Sequence, residues 1–217
     1  LNLKCLSVHI GSQILDHRPY SKMLNVVGKI IKKSKHLFEY IDLGGGMGID
    51  YTHNNNKIDL KKYYLNIQKF LKKYNSKIIF EPGRSIVGDT AILISKITYI
   101  KAGYKKDFII LDSGMNDLIR PALYNAQHKI VPTRKNNSKS KKTYEFVGPI
   151  CESTDRFATI KNFQKLYEKE FIGICDVGAY GTSLASNYNV RPRPLEILLK
   201  NSKIEIINKR QKLSELI

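Results

Sequence analysis

Apolar positions in the first ninety residues recur with two different periods. In Leu3-Lys4-Cys5-Leu6-Ser7-Val8 they alternate, and the same strand signal returns at residues 39–43 and 77–80, where β-branched and aromatic residues stop at Gly, Asp or Pro. Between these runs Met23, Val26, Val27, Ile30 and Ile31 fall at helical spacing. So do Leu60, Tyr63, Tyr64, Ile67, Phe70, Leu71 and Tyr74, with Asp59 placed to cap that second helix. Strand–helix–strand–helix–strand implies parallel pairing with right-handed crossovers. Three strands and two helices make only part of a closed barrel, because a complete (β/α)8 barrel takes roughly 250 residues.

Past residue 90 the texture changes. Residues 90–101, 108–111, 143–147, 171–175, 195–199 and 204–207 read as strands joined mostly by loops, with no regular helical crossover, so a mixed or antiparallel β domain is expected. The expected fold class is α/β plus β. Residues 1–90 would be the C-terminal part of a TIM-type barrel, and residues 91–217 a β-sandwich or β-barrel-like domain. No internal repeat is visible, and the junction is not rich in Pro or Gly, so the two parts are expected to pack together. The chain opens at Leu1 with a strand pattern already under way, and a preceding segment is expected.

Charge raises one further function class and then weakens it. Lys+Arg number 37 against 19 Asp+Glu, a formal charge of +18, which invites a nucleic-acid partner. Yet the lysines accompany many Asn and Ile, the pattern of AT-rich coding bias. Lys29, Lys32, Lys33 and Lys35 fall where a helix would face water. The densest basic run, residues 134–142, has no interleaved aromatics for base stacking and reads as a loop. A solvated basic surface is therefore favoured over a nucleic-acid site. No stretch approaches the roughly 20 apolar residues that span a bilayer, and no signal peptide is expected. Cys5, Cys151 and Cys175 are too few and too scattered for a disulfide framework or a zinc cluster. A cytoplasmic setting without metal, membrane or nucleic-acid partner is expected.

Three loops at strand ends carry candidate chemistry. Asp42-Leu43-Gly44-Gly45-Gly46-Met47-Gly48 lets successive backbone N–H groups cradle an anion, although a tight turn without a ligand would read the same. Glu81-Pro82-Gly83-Arg84 suits a site binding a phosphate and a protonated ring nitrogen; a surface ion pair is the plainer alternative. His9-Ile10-Gly11-Ser12-Gln13 brings a histidine to the same rim if the barrel reading holds.

Taken together, these loops resemble the signature loops of the alanine-racemase-like barrel decarboxylases that bind pyridoxal 5'-phosphate. Residues 112–124 (Asp112 to Tyr124), 148–155 (Gly148 to Asp155), 178–181 and 186–194 are similar to segments of the diaminopimelate decarboxylases within that family. The likeness runs nearly end to end, weakening only at residues 134–142 and in the last dozen. It implies that Ser12, Gly45, Gly46, Gly83, Arg84 and Tyr180 hold the cofactor phosphate, that His9 stacks on its ring, and that Glu81 faces the ring nitrogen. The ring would take up the electron pair left by departing carbon dioxide. Arg84, Arg120, Tyr124, Glu152 and Tyr180 would bind substrate: the arginines clamp carboxylates in bidentate fashion, and Glu152 pairs with a distal ammonium. Cys151 would be the proton donor after decarboxylation, with His9 the second catalytic group. Cys5 and Cys175 read as small buried apolar residues.

The activity so implied is decarboxylation of meso-2,6-diaminopimelate to L-lysine and carbon dioxide, the last step of lysine biosynthesis. A homodimer is implied as well, in which the Cys-Glu-Ser loop enters the partner's site. The alternatives are a related decarboxylase of lysine, ornithine or carboxynorspermidine, or a non-catalytic remnant or regulator of the same fold. No lysine here matches the one that anchors the cofactor covalently in this family; it is expected upstream of Leu1. A 217-residue product alone is therefore expected to be inactive and, with strand edges exposed, to fold poorly.

Overall fold

Three short parallel strands open the chain: β1 (Cys5–Ser7), β2 (Tyr40–Asp42) and β3 (Lys77–Ile79), in the order β1-β2-β3. They are joined by α1 (His17–Ser34) and α2 (Leu60–Tyr74). The computed structural model describes residues 1–135 and 140–217, and the chain divides into two units, Leu1–Thr90 and Ala91–Ile217.

In the first unit the pairing aligns Leu6, Ile41 and Ile78 across the sheet. These three side chains join the core beneath the helices, while Ser7, Asp42 and Ile79 share a row on the opposite face. The helices close the core with Tyr20, Met23, Leu24 and Val27 from α1 and Tyr63, Ile67 and Phe70 from α2. Val26, Ile30, Leu60 and Tyr64, grouped with the helical stripe from sequence, are exposed. They flank the stripe by about one residue, and the wide apolar face offers more positions than the sheet covers. Asp59 caps α2, accepting from the Lys62 N–H at 3.0 Å, and Asp16 caps α1 through the Arg18 N–H at 2.9 Å. The helices approach so closely that a Cβ on Gly28 would lie 2.6 Å from the Tyr74 hydroxyl, which donates to the Gly28 carbonyl at 3.1 Å. After β3 comes α3 (Arg84–Val87), a single turn that the strand pattern gave no sign of.

The second unit is a mixed sheet of β4 (Leu93–Lys101), β5 (Asp107–Leu111), β6 (Ile130–Pro132), β7 (Lys141–Val147), β8 (Arg156–Gln164) and β9 (Phe171–Ile174), ordered β6-β9-β4-β5-β7-β8. Every pairing is antiparallel except β5 with β7. Every strand sends at least one residue, among them Ile97, Ile109, Ile130, Phe146, Phe157 and Ile172, into a single core, so the sheet coils into a barrel-like form. A short helix, α4 (Arg120–Tyr124), lies in the β5–β6 connection. Beyond the sheet, β10 (Glu196–Lys200) and β11 (Lys203–Asn208) form a hairpin whose loop residues Asn201 and Ser202 both have positive φ, as a two-residue type I′ turn requires.

Three expectations need correction. Strands β6 and β8 went unseen: β6 is three residues ending in proline, and β8 mixes polar and apolar positions across a bulge. Lys141 and Lys142, assigned to a loop, lie in β7, where the Lys142 ammonium bonds Asp107 at 2.6 Å; residues 136–139 of that basic run fall outside the described residues. Cys5 is exposed rather than buried, because two residues before Ser7 it shares that residue's face of the sheet, away from the helices; Cys175 is buried as expected. No helix among the described residues is long and apolar enough to cross a membrane.

The core assignment makes a direct prediction. Ile172→Ala, at a fully buried position pairing with both β4 and β6, should cost about 2–5 kcal/mol in urea unfolding. Ile94→Ala, exposed on β4, should stay within about 0.5 kcal/mol of the unsubstituted chain.

Candidate functional site

Backbone hydrogen bonds in the first unit run on past the ends of the strands. Val8 N–H donates to the Asp42 carbonyl at 2.9 Å, Leu43 N–H to that of Ile79 at 3.0 Å, and Glu81 N–H to that of Gly44 at 2.9 Å. The three candidate loops are thus laid side by side at the C-terminal rim. The buried Asp42 carboxylate accepts from Gly44 N–H at 2.8 Å and Ser7 Oγ at 3.1 Å, fixing the entry into the glycine turn. Gly44 and Gly46 have positive φ, 64° and 95°. A Cβ on Gly44 would lie 2.9 Å from His9 Nδ1, which places the imidazole against the turn. Gln13, itself at φ 60°, clamps the far side: its Nε2 donates to the Ile49 carbonyl at 2.6 Å and its Oε1 accepts from Ile49 N–H at 3.3 Å. Tyr20, whose phenol burial pushes up to about 12, donates to the Gly45 carbonyl at 3.3 Å.

Arg84 crosses the rim. Its Nη2 donates to Ser12 Oγ at 3.2 Å and its Nη1 to Tyr51 Oη at 2.5 Å. His9, Ser12, Gly45, Gly46, Glu81, Gly83 and Arg84 therefore meet on one edge of this unit.

The remaining candidates lie in the second unit. Cys151 and Glu152 are exposed on the turn between β7 and β8. Asp155 builds that turn from inside: its Oδ1 accepts from Met115 N–H and its Oδ2 from Ile150 N–H, each at 2.7 Å. A Cβ on Gly148 would sit 2.2 Å from Asp155 Oδ2, so the chain passes directly over the carboxylate. Burial raises the Asp155 carboxyl above its ordinary range, and the two backbone N–H bonds pull it back. Beside it, Arg191 Nε donates to Asn116 Oδ1 at 3.1 Å and its Nη2 to the Asp112 carbonyl. Tyr188 Oη donates to Glu152 Oε1 at 2.5 Å, and that bond raises the phenol. Arg120, at the start of α4, is buried, and its Nη1 meets His128 Nε2 at 2.8 Å. Tyr124 and Tyr180 are exposed, the latter at φ 60° just before a turn in which a Cβ on Gly181 would meet the Val177 carbonyl at 2.3 Å.

These features coincide with a family match. The pyridoxal-dependent decarboxylase C-terminal sheet domain matches residues 15–178, well over half of the chain. The chain belongs to the pyridoxal-dependent decarboxylase family. A diaminopimelate decarboxylase of Aquifex aeolicus is 38% identical over 216 residues, covering 97% of this chain and 51% of the relative. The crystal structure of diaminopimelate decarboxylase from Helicobacter pylori complexed with L-lysine has a TM-score of 0.87 and 40% identity, covering 98% of this chain and 53% of that one. The enzyme from M. jannaschii in co-complex with L-lysine has a TM-score of 0.90 and 33% identity, covering 97% and 50%. The chain thus spans about half the length of the curated relatives it matches. The resemblance read from the motifs holds, as does the α/β plus β fold class.

Membership of this family implies pyridoxal phosphate, and the first unit's rim fits it. A guanidinium, a hydroxyl and glycine amides are the donors that a phosphate dianion requires. Beside Gly11 and Gly83 no atom lies within 4 Å of a built Cβ, so the rim is open there. Gly45 and Gly46 are glycine for another reason: a Cβ would fall 2.3 Å from the Glu81 carbonyl oxygen or 2.5 Å from that of Gly11. They allow the loops to close on one another.

The motif reading named candidate ligand-touching groups and passed over residues that brace those groups or the loops around them: Gln13, Tyr20, Tyr51, His128, Asp155, Tyr188 and Arg191. Several stand inside the quoted motifs, and only their hydrogen bonds reveal what they do. Asp155→Asn would set an amide donor against a backbone N–H. Loss of about 1–3 kcal/mol is expected in denaturant unfolding of the chain, with Gly148→Ala destabilising through the same contact.

Proposed function

We propose that the chain supplies the cofactor rim and the C-terminal sheet domain of a pyridoxal-phosphate-dependent carboxy-lyase that converts meso-2,6-diaminopimelate to L-lysine and carbon dioxide. The observation carrying this reading is the meeting of His9, Ser12, the glycine turn, Glu81 and Arg84 on one rim, in a chain whose relatives bear that enzyme's name.

When bound, pyridoxal phosphate supplies the electron sink for decarboxylation. Ser12, Gly45, Gly46, Gly83, Arg84 and Tyr180 would hold its phosphate. Glu81 would stand at its ring nitrogen and favour the protonated form there, and His9 would lie against the ring face. Arg84 and Arg120 take substrate carboxylate, Tyr124 adds a hydrogen bond, and Glu152 receives the distal ammonium. Cys151, exposed and free of a disulfide, delivers the Sγ proton to the carbon that has lost carbon dioxide. The carboxylate clamp favours diaminopimelate over ornithine, whose distal end has none. The site is shared across a homodimer, each Cys-Glu-Ser turn serving the partner, in the cytoplasm. Activity also needs a lysine that holds the cofactor covalently, and none of this chain's lysines matches that position.

The test is to express the longest open frame containing this chain and measure carbon dioxide release from meso-diaminopimelate with added pyridoxal phosphate. Turnover above the cofactor-only background is expected. Cys151→Ala should lower kcat by about 10²–10⁴-fold. Arg120→Ala and Glu152→Gln should damage diaminopimelate turnover far more than that of a substrate lacking the distal carboxylate. Turnover of lysine or ornithine with none of diaminopimelate would overturn the substrate assignment.

A further inference from the structure

Arg120 does not stand alone. It opens α4 and is only 6% exposed, and its Nη1 lies 2.8 Å from Nε2 of His128, itself 5% exposed. A guanidinium carries donors and no acceptor, so His128 Nε2 must offer its lone pair. The ring proton then belongs on Nδ1, and Nδ1 has the partner such a proton needs: the Cys175 carbonyl oxygen at 2.8 Å. That carbonyl is held in turn, because Cys175 follows β9 and its own N–H donates to the Lys129 carbonyl at 2.8 Å, while Ile130 pairs with Ile174 across β6 and β9. The chemistry of the two neighbours thus fixes both the tautomer and the charge of the imidazole. A ring protonated on both nitrogens would point a donor at a donor.

We infer that His128 is a positioning residue for substrate recognition: as a neutral Nδ1–H imidazole keyed to the sheet through the Cys175 carbonyl, it fixes the guanidinium plane of Arg120. Bidentate carboxylate binding depends on that plane, so one N–H committed to an imidazole anchored beside the sheet sets the direction from which a carboxylate is received. The inference rests on the proposed carboxylate role of Arg120. It adds that this specificity is decided one residue further back, by a group that touches no substrate.

Two amide substitutions separate positioning from plain structural support, because each keeps one half of the histidine. His128→Asn places an amide near the Nδ1 position: it retains a donor for the Cys175 carbonyl and removes the acceptor for Arg120. His128→Gln places its amide oxygen near the Nε2 position: it retains the acceptor and gives up the bond to Cys175. In the full open frame, His128→Asn should raise KM for diaminopimelate about ten- to hundred-fold, the scale of one charged hydrogen bond. Its kcat should change much less, with no comparable effect on a substrate lacking the distal carboxylate. His128→Gln should recover most of the loss. The reverse order, with His128→Asn near the unsubstituted enzyme and His128→Gln impaired, would overturn the inference while leaving the proposed function intact. Absence of diaminopimelate turnover in the unsubstituted protein would count against the function itself. Independently of turnover, ¹⁵N shifts of the His128 ring at neutral pH should report a protonated Nδ1 and a bare Nε2. A doubly protonated ring, or the opposite tautomer, would also overturn the inference.

Discussion

The closest approach of backbone to backbone governs the first unit. Glu81 N–H reaches the Gly44 carbonyl, and the chain at Gly45 then passes so near the Glu81 carbonyl that no side chain fits between them. Parallel strands make this possible, since they bring every loop of one kind to the same end. Once the loops are held together by main-chain bonds, the side chains that project from them, His9, Ser12 and Arg84, acquire fixed relations. The glycine run is thus a packing requirement first. Its capacity to offer amide donors to an anion follows from the same absence of Cβ atoms.

The second unit solves a similar problem with buried polar groups. The turn bearing Cys151 and Glu152 contains little apolar surface of its own, and an exposed turn held by contacts alone would move freely. Asp155 replaces that missing packing with two backbone hydrogen bonds, one from Met115 in the β5–β6 connection and one from Ile150 within the turn. Burying a carboxylate costs solvation, which is why its carboxyl is raised, and the pair of N–H donors offsets part of that cost. Arg120 and His128 follow the same rule. A buried cation is tolerable where its donors find acceptors, and a neutral imidazole provides one without adding charge.

The basic composition is explained by the surface. Neither α1 nor α2 contains an acidic residue, and their lysines, including Lys29, Lys32, Lys33, Lys69, Lys72 and Lys73, are exposed. The acids that pair with these helices are the caps, Asp16 with Arg18 and Asp59 with Lys62. This charge lies on the outward faces of the two helices.

By itself the sequence determined the class of fold, the two long helices, most of the strands and the family, because hydrophobic period, capping residues and short motifs are local properties. It also singled out every group proposed to touch cofactor or substrate, since those residue types are chemically distinctive. Only the tertiary structure decided which of the apolar helix positions are buried: Val26 and Ile30 have the right spacing and still face outward. It alone revealed β6 and β8, whose pairing with β9 and β7 outweighs weak local signals, and the exposure of Cys5. The supporting shell was equally hidden. An aspartate, a histidine or a tyrosine in a motif has many uses, and Asp155, His128 and Tyr188 are told apart only by which atoms they reach. Those partners lie far along the chain, Met115 for Asp155 and Cys175 for His128, and distance along a chain carries no record of contact in space.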